Sequence, residues 1–162
     1  MVKGERIPSA FYAKVKVSSS PLGGMGLFAM RHIPEGTPIL RLGGFLVGRR
    51  PRGDRYALRV GRRLFLVDSK DETDYVNHSC DPNCRIDFST LNLVSTRSIS
   101  AGEELTINYC TSEYDIQPEF RFACSCGAKG CYGTVAGFAH LPPDKRKRIL
   151  PWCSQYIASK AQ

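Results

Sequence analysis

"NHSCDPNC" (Asn77 to Cys84) crowds two amides, an imidazole, a hydroxyl, a carboxylate and two thiols into eight residues. Such density suits a metal site, a thiol nucleophile, a cofactor cradle or a polar turn, and the rest of the chain must separate them. A hydrolase built on Cys80 and His78 is disfavoured, because residues two apart on one turn are expected not to reach hydrogen-bond geometry. A metal site is better supported. In "CSCGAKGC", Cys124, Cys126 and Cys131 lie in a Gly-rich loop where three thiolates can face one ion, and a closed tetrahedral zinc site needs a fourth ligand. Cys80 or Cys84 can supply it, which would tie the loop back to residue 80; buried free thiols in a turn are the plain alternative. Zinc is preferred to an iron–sulfur cluster because no second Cys-rich run supplies a cluster shell.

The composition, 42% hydrophobic and 23% charged over 162 residues, is that of one ordinary globular domain with at most a small appendage. No apolar run approaches the ~20 residues of a membrane span, so no membrane partner is expected. The opening "MVKGERIPSAFYAKVKV" lacks the apolar core of a signal peptide. A reducing, intracellular compartment is therefore expected, where seven cysteines serve metal binding or catalysis better than disulfides. A net charge of +8 points to an anionic neighbour such as nucleic acid. Seven arginines fall between Arg49 and Arg63, a second basic cluster is "KRKR" (Lys145 to Arg148), and acids gather in "DSKDETD" (Asp68 to Asp74). Each cluster also reads as a solvated surface.

Short β-runs dominate. Alternation in "FYAKVKV" (Phe11, Ala13, Val15 and Val17 against Lys14 and Lys16) predicts a half-buried strand, and "CRIDF" and "LNLVST" read likewise. "TPILRLGGFLV", "RYALRV" and "LFLVD" add apolar or β-branched runs, with Gly61 marking a hairpin turn between the last two. Helical periodicity is nearly absent before residue 140. Beyond it, "KRKRIL" is expected to form a helix capped by Asp144 and stopped by Pro151, one of at most two short helical pieces.

"LGGMGLFA" superficially fits a dinucleotide fingerprint, but Pro34, Gly36 and Pro38 stand where the helix should run. The glycines are instead expected to make a turn or to let backbone approach a ligand. "GEELTINYC" (Gly102 to Cys110) reads as a turn and a strand ending in Asn108 and Tyr109, where a lone Tyr would ordinarily be a core phenol.

Taken in order, "GMGLFA", "NHSCDPNC", "AGEELTINYC" and "CSCGAKGCYG" resemble the SET-domain protein lysine methyltransferases with a post-SET zinc tail, over Phe11 to Phe138. The resemblance implies a mainly β, β-clip-like fold of several small sheets with a C-terminal pseudoknot, a zinc-bound post-SET loop and short C-terminal helices. It divides the chain into a SET domain (residues 11–118), a zinc segment (119–138) and a basic helical tail (139–162). The implied cofactor is S-adenosylmethionine, with its methionine part at Gly24, Met25 and Gly26 and its amino group and adenine at Asn77 and His78. The implied reaction is methyl transfer to a lysine amine through a narrow channel, with Tyr109 as the catalytic tyrosine and Tyr56 as the second channel tyrosine. A Tyr56 facing the core of a strand is the other reading. Ile107 and Phe138 complete the expected channel, and Cys80 joins Cys124, Cys126 and Cys131 on structural Zn2+. His78 is thereby a binding residue and not a base; of the plainer readings of its imidazole a core hydrogen-bonder ranks above a zinc ligand, and Cys84 is expected to be a buried thiol.

Departures from the family pattern bear on the substrate. Asp74, Tyr75 and Val76 replace the usual Arg and Phe before "NHSC", the segment between Tyr56 and Asn77 is short, and no Cys-rich pre-SET region is seen. Ile107 stands where Phe or Tyr often controls methyl number and has no hydroxyl to fix a water, so di- or trimethylation is expected. The expected partner is a protein substrate such as a histone tail, met by Asp68, Asp71, Glu72 and Asp74 at the entrance, while the Arg49 to Arg63 hairpin is expected to contact DNA. The nucleus is expected in a eukaryote, otherwise the cytoplasm or a host cell. No heptad or apolar helix face predicts an oligomer. The rival from another class is a non-catalytic SET-like module docking on chromatin, against which retention of Tyr109 argues.

Overall fold

The computed structural model describes residues 4–161, so Gln162 of the expected tail lies outside the described residues. Short strands bounded by Gly and Pro turns build two four-stranded sheets and three two-stranded ones. One antiparallel sheet runs in the order Glu5–Ile7, Gly44–Val47, Leu64–Val67, Leu58–Gly61. A second runs Cys84–Asp87, Asn92–Ser95, Pro38–Arg41, Ala10–Phe11. Three two-stranded pieces complete the β structure: Val15–Ser19 against Met25–Ala29, Phe122–Ala123 against Thr134–Val135, and Asn77–His78 against Thr106–Ile107. The last pair is parallel, with Thr106 opposite Asn77 and Ile107 opposite His78. It brings "NHSC" and "GEELTINYC" side by side. The fold is thus mainly β with several small sheets, as the motifs imply.

The "FYAKVKV" run differs from one continuous strand. Tyr12 and Ala13 both donate backbone N–H bonds to Ile39 carbonyl oxygen (2.8 and 2.9 Å), so the chain leaves one sheet at Phe11 and joins another at Val15. The Arg-rich run does form a hairpin, Leu58–Gly61 against Leu64–Val67. "GGMGLFA" opens a strand, not a helix, so the dinucleotide reading is excluded. Helix α1, Pro143–Ile149, is capped by Pro142 without a side-chain bond, and Asp144 lies inside its first turn. Pro143 needs no N–H partner at the first helical position, which moves the cap upstream of Asp144. Helix α2, Gln155–Lys160, starts at Ser154, whose hydroxyl accepts the Ile157 N–H.

Two apolar cores result. Leu27, Ile39, Leu40, Leu93, Ile99 and Leu105, all without exposed surface, anchor the first, beneath the sheets. The second joins Cys110, Val135 and Phe138 to Leu141, Ile149 and Ile157, so both helices pack on the segment that follows the cysteine loop. Arg148 reaches from α1 to Asp81 (2.6 Å), beside Cys80. The tail is therefore held next to "NHSC" by packing and by charge.

Candidate active site

The parallel pairing places the His78 and Tyr109 rings 5.3 Å apart at 64°. His78 Nδ1 accepts the Tyr109 backbone N–H (3.1 Å), so the neutral ring carries its proton on Nε2, which faces Cys80 Sγ at 3.3 Å. Burial holds the imidazole down at a pKa of about 4, so it stays neutral at physiological pH. His78 and Cys80 therefore do meet, contrary to the argument from turn geometry. Asn77–His78 is a strand, and side chains two apart on extended chain share a face. The hydrolase reading gains nothing from this contact: burial pushes the Cys80 thiol well above the usual thiol range, and three other sulfurs surround it.

Those sulfurs belong to Cys124, Cys126 and Cys131, and the four Sγ atoms lie within 4.8 Å of one another. Cys80 Sγ is 3.7 Å from Cys124 Sγ and 3.9 Å from Cys131 Sγ. A tetrahedron of thiolates about 2.3 Å from zinc has edges of about 3.8 Å, so the donor set fits such an ion. The surroundings suit thiolates: Tyr132 N–H donates to Cys80 Sγ (3.3 Å) and Gly133 N–H to Cys131 Sγ (3.5 Å). For Cys126 burial works against ionisation, but backbone N–H groups and neighbouring thiols outweigh it and bring the pKa down to about 6. His78 lies outside the four-sulfur group, and Cys84 is a fully buried thiol directed at Asn83 Oδ1.

On the other side of Tyr109 a cavity of about 310 Å³ opens. Ile107, Val76 and Tyr109 line its inner part, and Tyr56 and Phe122 stand in its walls. Tyr56 is 70% exposed, so it belongs to the mouth and not to the core of a strand. Phe138 is not in the lining: it is buried in the second core, stacked on Tyr114. Phe122 supplies the aromatic wall instead, its ring 6.1 Å from Tyr109 and 6.0 Å from His78. The Tyr109 hydroxyl donates to Val76 carbonyl oxygen (2.9 Å), and burial raises the phenol to about 12, keeping it protonated.

The charged clusters divide. Asp68 and Asp74 line the cavity, whereas Asp71 caps the turn at Glu72–Tyr75, accepting Thr73 N–H and the Ser9 hydroxyl. Glu72 faces away, among Phe11, Tyr12 and Met30. Arg50 and Arg59 turn inward on Glu113, and Arg59 lies between the Phe65 and Tyr156 rings. The remaining five arginines of residues 49–63 are exposed.

None of the glycine turn is in the cavity lining. Gly23 and Gly24 take positive φ with open space where a Cβ would stand, and Gly26 lies under the Glu104 carboxylate. Asn77 Nδ2 donates to Met25 carbonyl oxygen (2.9 Å) and Glu104 Oε1 (2.7 Å), while Ser125 of the cysteine loop donates its hydroxyl to Leu22 carbonyl oxygen (3.3 Å). Asn77 therefore ties the glycine turn to the strand that carries His78, and His78 lies beside Tyr109. Sequence reasoning missed Glu104, Ser20 and Phe122 in this region. No local signal marked Glu104, which lies before the Thr106–Ile107 strand and forms only an isolated bridge with Phe28.

The SET domain family matches residues 24–110, just over half of the chain, and the chain belongs to that family. Relatives include a protein named Methyltransferase flvH from Aspergillus flavus, 42% identical over 94 residues (56% of this chain, 50% of that protein). A histone-lysine N-methyltransferase named as H3 lysine-4 specific, from Mycosarcoma maydis, is 31% identical over 139 residues (73% of this chain, 9% of that protein). One named as H3 lysine-36 specific, from Candida albicans, is 28% identical over 155 residues (83% and 18%). The chain spans half or less of the length of these curated relatives.

Proposed function

We propose that this chain is a protein lysine N-methyltransferase that uses S-adenosylmethionine. What supports the reading is that Tyr109 lines the cavity with Ile107 and Val76 and lies beside His78 (ring centroids 5.3 Å apart), which shares a strand with Asn77. The residues fit the cofactor: the Gly23–Gly24 turn leaves open space, and Asn77 Oδ1 has no donor among the described residues. When bound, S-adenosylmethionine supplies an electrophilic methyl group on a cationic sulfonium.

The chain's own part is binding, alignment and exclusion of water. Gly24, Met25 and Gly26 offer backbone to the methionine portion, Asn77 Oδ1 accepts from its amino group, and the neutral His78 packs beside it. Tyr56 and Phe122 flank the entering lysine chain, and Ile107 and Val76 desolvate its amine, which favours the uncharged nucleophile. Tyr109, protonated well above neutral pH, holds a fixed hydroxyl dipole at the junction and takes no proton. Zinc on Cys80, Cys124, Cys126 and Cys131 pins the tail so that Phe122 closes one side. A histone tail is the first acceptor to test, since named relatives are histone-lysine methyltransferases. Asp68 and Asp74 offer carboxylates to its basic flank. A nuclear location follows if the host is eukaryotic.

The test is transfer of labelled methyl groups onto core histones, nucleosomes and a fractionated lysate. Specific protein labelling is expected; cofactor binding without transfer to any protein would favour the non-catalytic chromatin module. Ile107 adds a product prediction. With no hydroxyl at this position to fix a water, a monomethyl-lysine peptide is expected to be methylated further, and Ile107→Tyr is expected to shift products toward monomethyl. Wild-type product that stops at monomethyl under excess cofactor contradicts this. The five outward arginines give a salt prediction: raising salt from 50 to 200 mM is expected to suppress nucleosome methylation at least about tenfold more than peptide methylation, through lost phosphate contacts. Equal sensitivity would remove the DNA contact.

A further inference from the structure

We infer that Glu104 is the positioning carboxylate of the cofactor site, and that through Asn77 it selects ligands carrying an ammonium group on the methionine moiety. This rests on the reading of Asn77 given above and extends it to a residue outside that set.

The geometry is specific. The Glu104 carboxylate accepts the Ser20 hydroxyl on both oxygens (2.9 and 2.8 Å) and Asn77 Nδ2 on Oε1 (2.7 Å). Ser20 itself begins the glycine turn: its hydroxyl accepts Leu22 N–H (2.9 Å) and its backbone N–H donates to Gly24 carbonyl oxygen (2.9 Å). One carboxylate therefore joins the glycine turn to the Asn77–His78 strand. Its backbone is fixed as well, because Asn83 Nδ2 donates to the Glu104 carbonyl (2.8 Å) and Asn83 Oδ1 accepts Thr106 N–H (2.9 Å).

Two consequences follow for Asn77. Both of its amide protons are committed, to Met25 carbonyl oxygen and to Glu104, so the amide cannot flip without losing two acceptors. Its Oδ1 is thereby left without a donor among the described residues, on an amide whose Nδ2 is hydrogen-bonded to a carboxylate. An acceptor on an amide held by a carboxylate favours a cationic donor over a neutral one. Gly26 belongs to the same device, since a Cβ there would stand 2.1 Å from Glu104 Oε1 and 3.1 Å from Asn77 Nδ2. The carboxylate is the movable end of a flexible side chain, so Gly26→Ala is expected to fold while displacing Glu104 from Asn77.

The experiment is calorimetric titration of the zinc-loaded protein with S-adenosylhomocysteine and with its analogue lacking the α-amino group. Wild type is expected to prefer the amino-bearing ligand by about tenfold or more, the scale of one charge-assisted hydrogen bond. In Glu104→Ala and Gly26→Ala that preference is expected to collapse toward unity, through weaker binding of S-adenosylhomocysteine with little change for the analogue. Glu104→Gln, which keeps an acceptor for Asn77 but removes the charge, is expected to fall between. Equal weakening of both ligands would make Glu104 a scaffold residue and overturn the inference while leaving the enzyme reading intact. Absence of S-adenosylhomocysteine binding to wild type would overturn both.

Discussion

Tyr109→Phe is expected to lower kcat/KM for methyl transfer by about 10²- to 10³-fold, the usual scale for removing one positioned hydrogen-bonding group at a reacting centre. Affinity for S-adenosylhomocysteine is expected to stay close to wild type, because the glycine turn, Asn77 and His78 are untouched. The substitution also removes the bond from the hydroxyl to Val76 carbonyl oxygen. That costs on the order of 1 kcal/mol, too little to unfold the domain. A loss confined to kcat/KM, with circular dichroism and ligand binding preserved, separates a chemical role from a structural one. A drop smaller than about tenfold would return Tyr109 to the ordinary status of a core phenol.

Removal of zinc is the second large effect. Chelation, or Cys124→Ser, is expected to abolish transfer and to lower Tm by about 10 °C or more, with activity restored to the chelated wild type by added zinc. Four thiols held within 4.8 Å of one another repel once ionised, so the loop needs the ion to keep them together. Loss of that restraint frees Phe122, which lies two residues before Cys124, from its place beside Tyr109 and His78. The helices still have the second core, centred on Cys110, Val135 and Phe138, so the loss is expected to be local. Metal analysis is expected to find one zinc per chain. Full activity in rigorously metal-free protein would contradict this role.

What could be read in advance follows the range of the forces involved. Local periodicity is visible in sequence, so Val15, Lys16 and Val17 alternate as expected, and Gly61 does end one arm of a hairpin. Spacing left Cys80 and Cys84 equally open as the fourth thiol; the family pattern preferred Cys80. The strand Cys84–Asp87 turns Cys84 into the first core, while Cys80 stands beside the three loop cysteines. Nothing local announces a parallel pair of two-residue strands whose partners are 29 positions apart, yet that pair sets Tyr109 beside His78. The same blindness placed Phe138 in the channel, where packing between the helices claims it, and overlooked Phe122. Acids at Asp71 and Glu72 looked like substrate contacts because charge is visible in sequence and capping geometry is not.

The most direct test of the account is to locate the methyl group itself. Wild type and Tyr109→Phe would be incubated with labelled S-adenosylmethionine and core histones, nucleosomes or lysate protein, and the acceptor atoms mapped by mass spectrometry. Label is expected on lysine side-chain nitrogen at defined positions, strongly reduced by Tyr109→Phe and lost on zinc removal. Label confined to another side chain or to a small molecule, or label on lysine that Tyr109→Phe leaves unchanged, would contradict it.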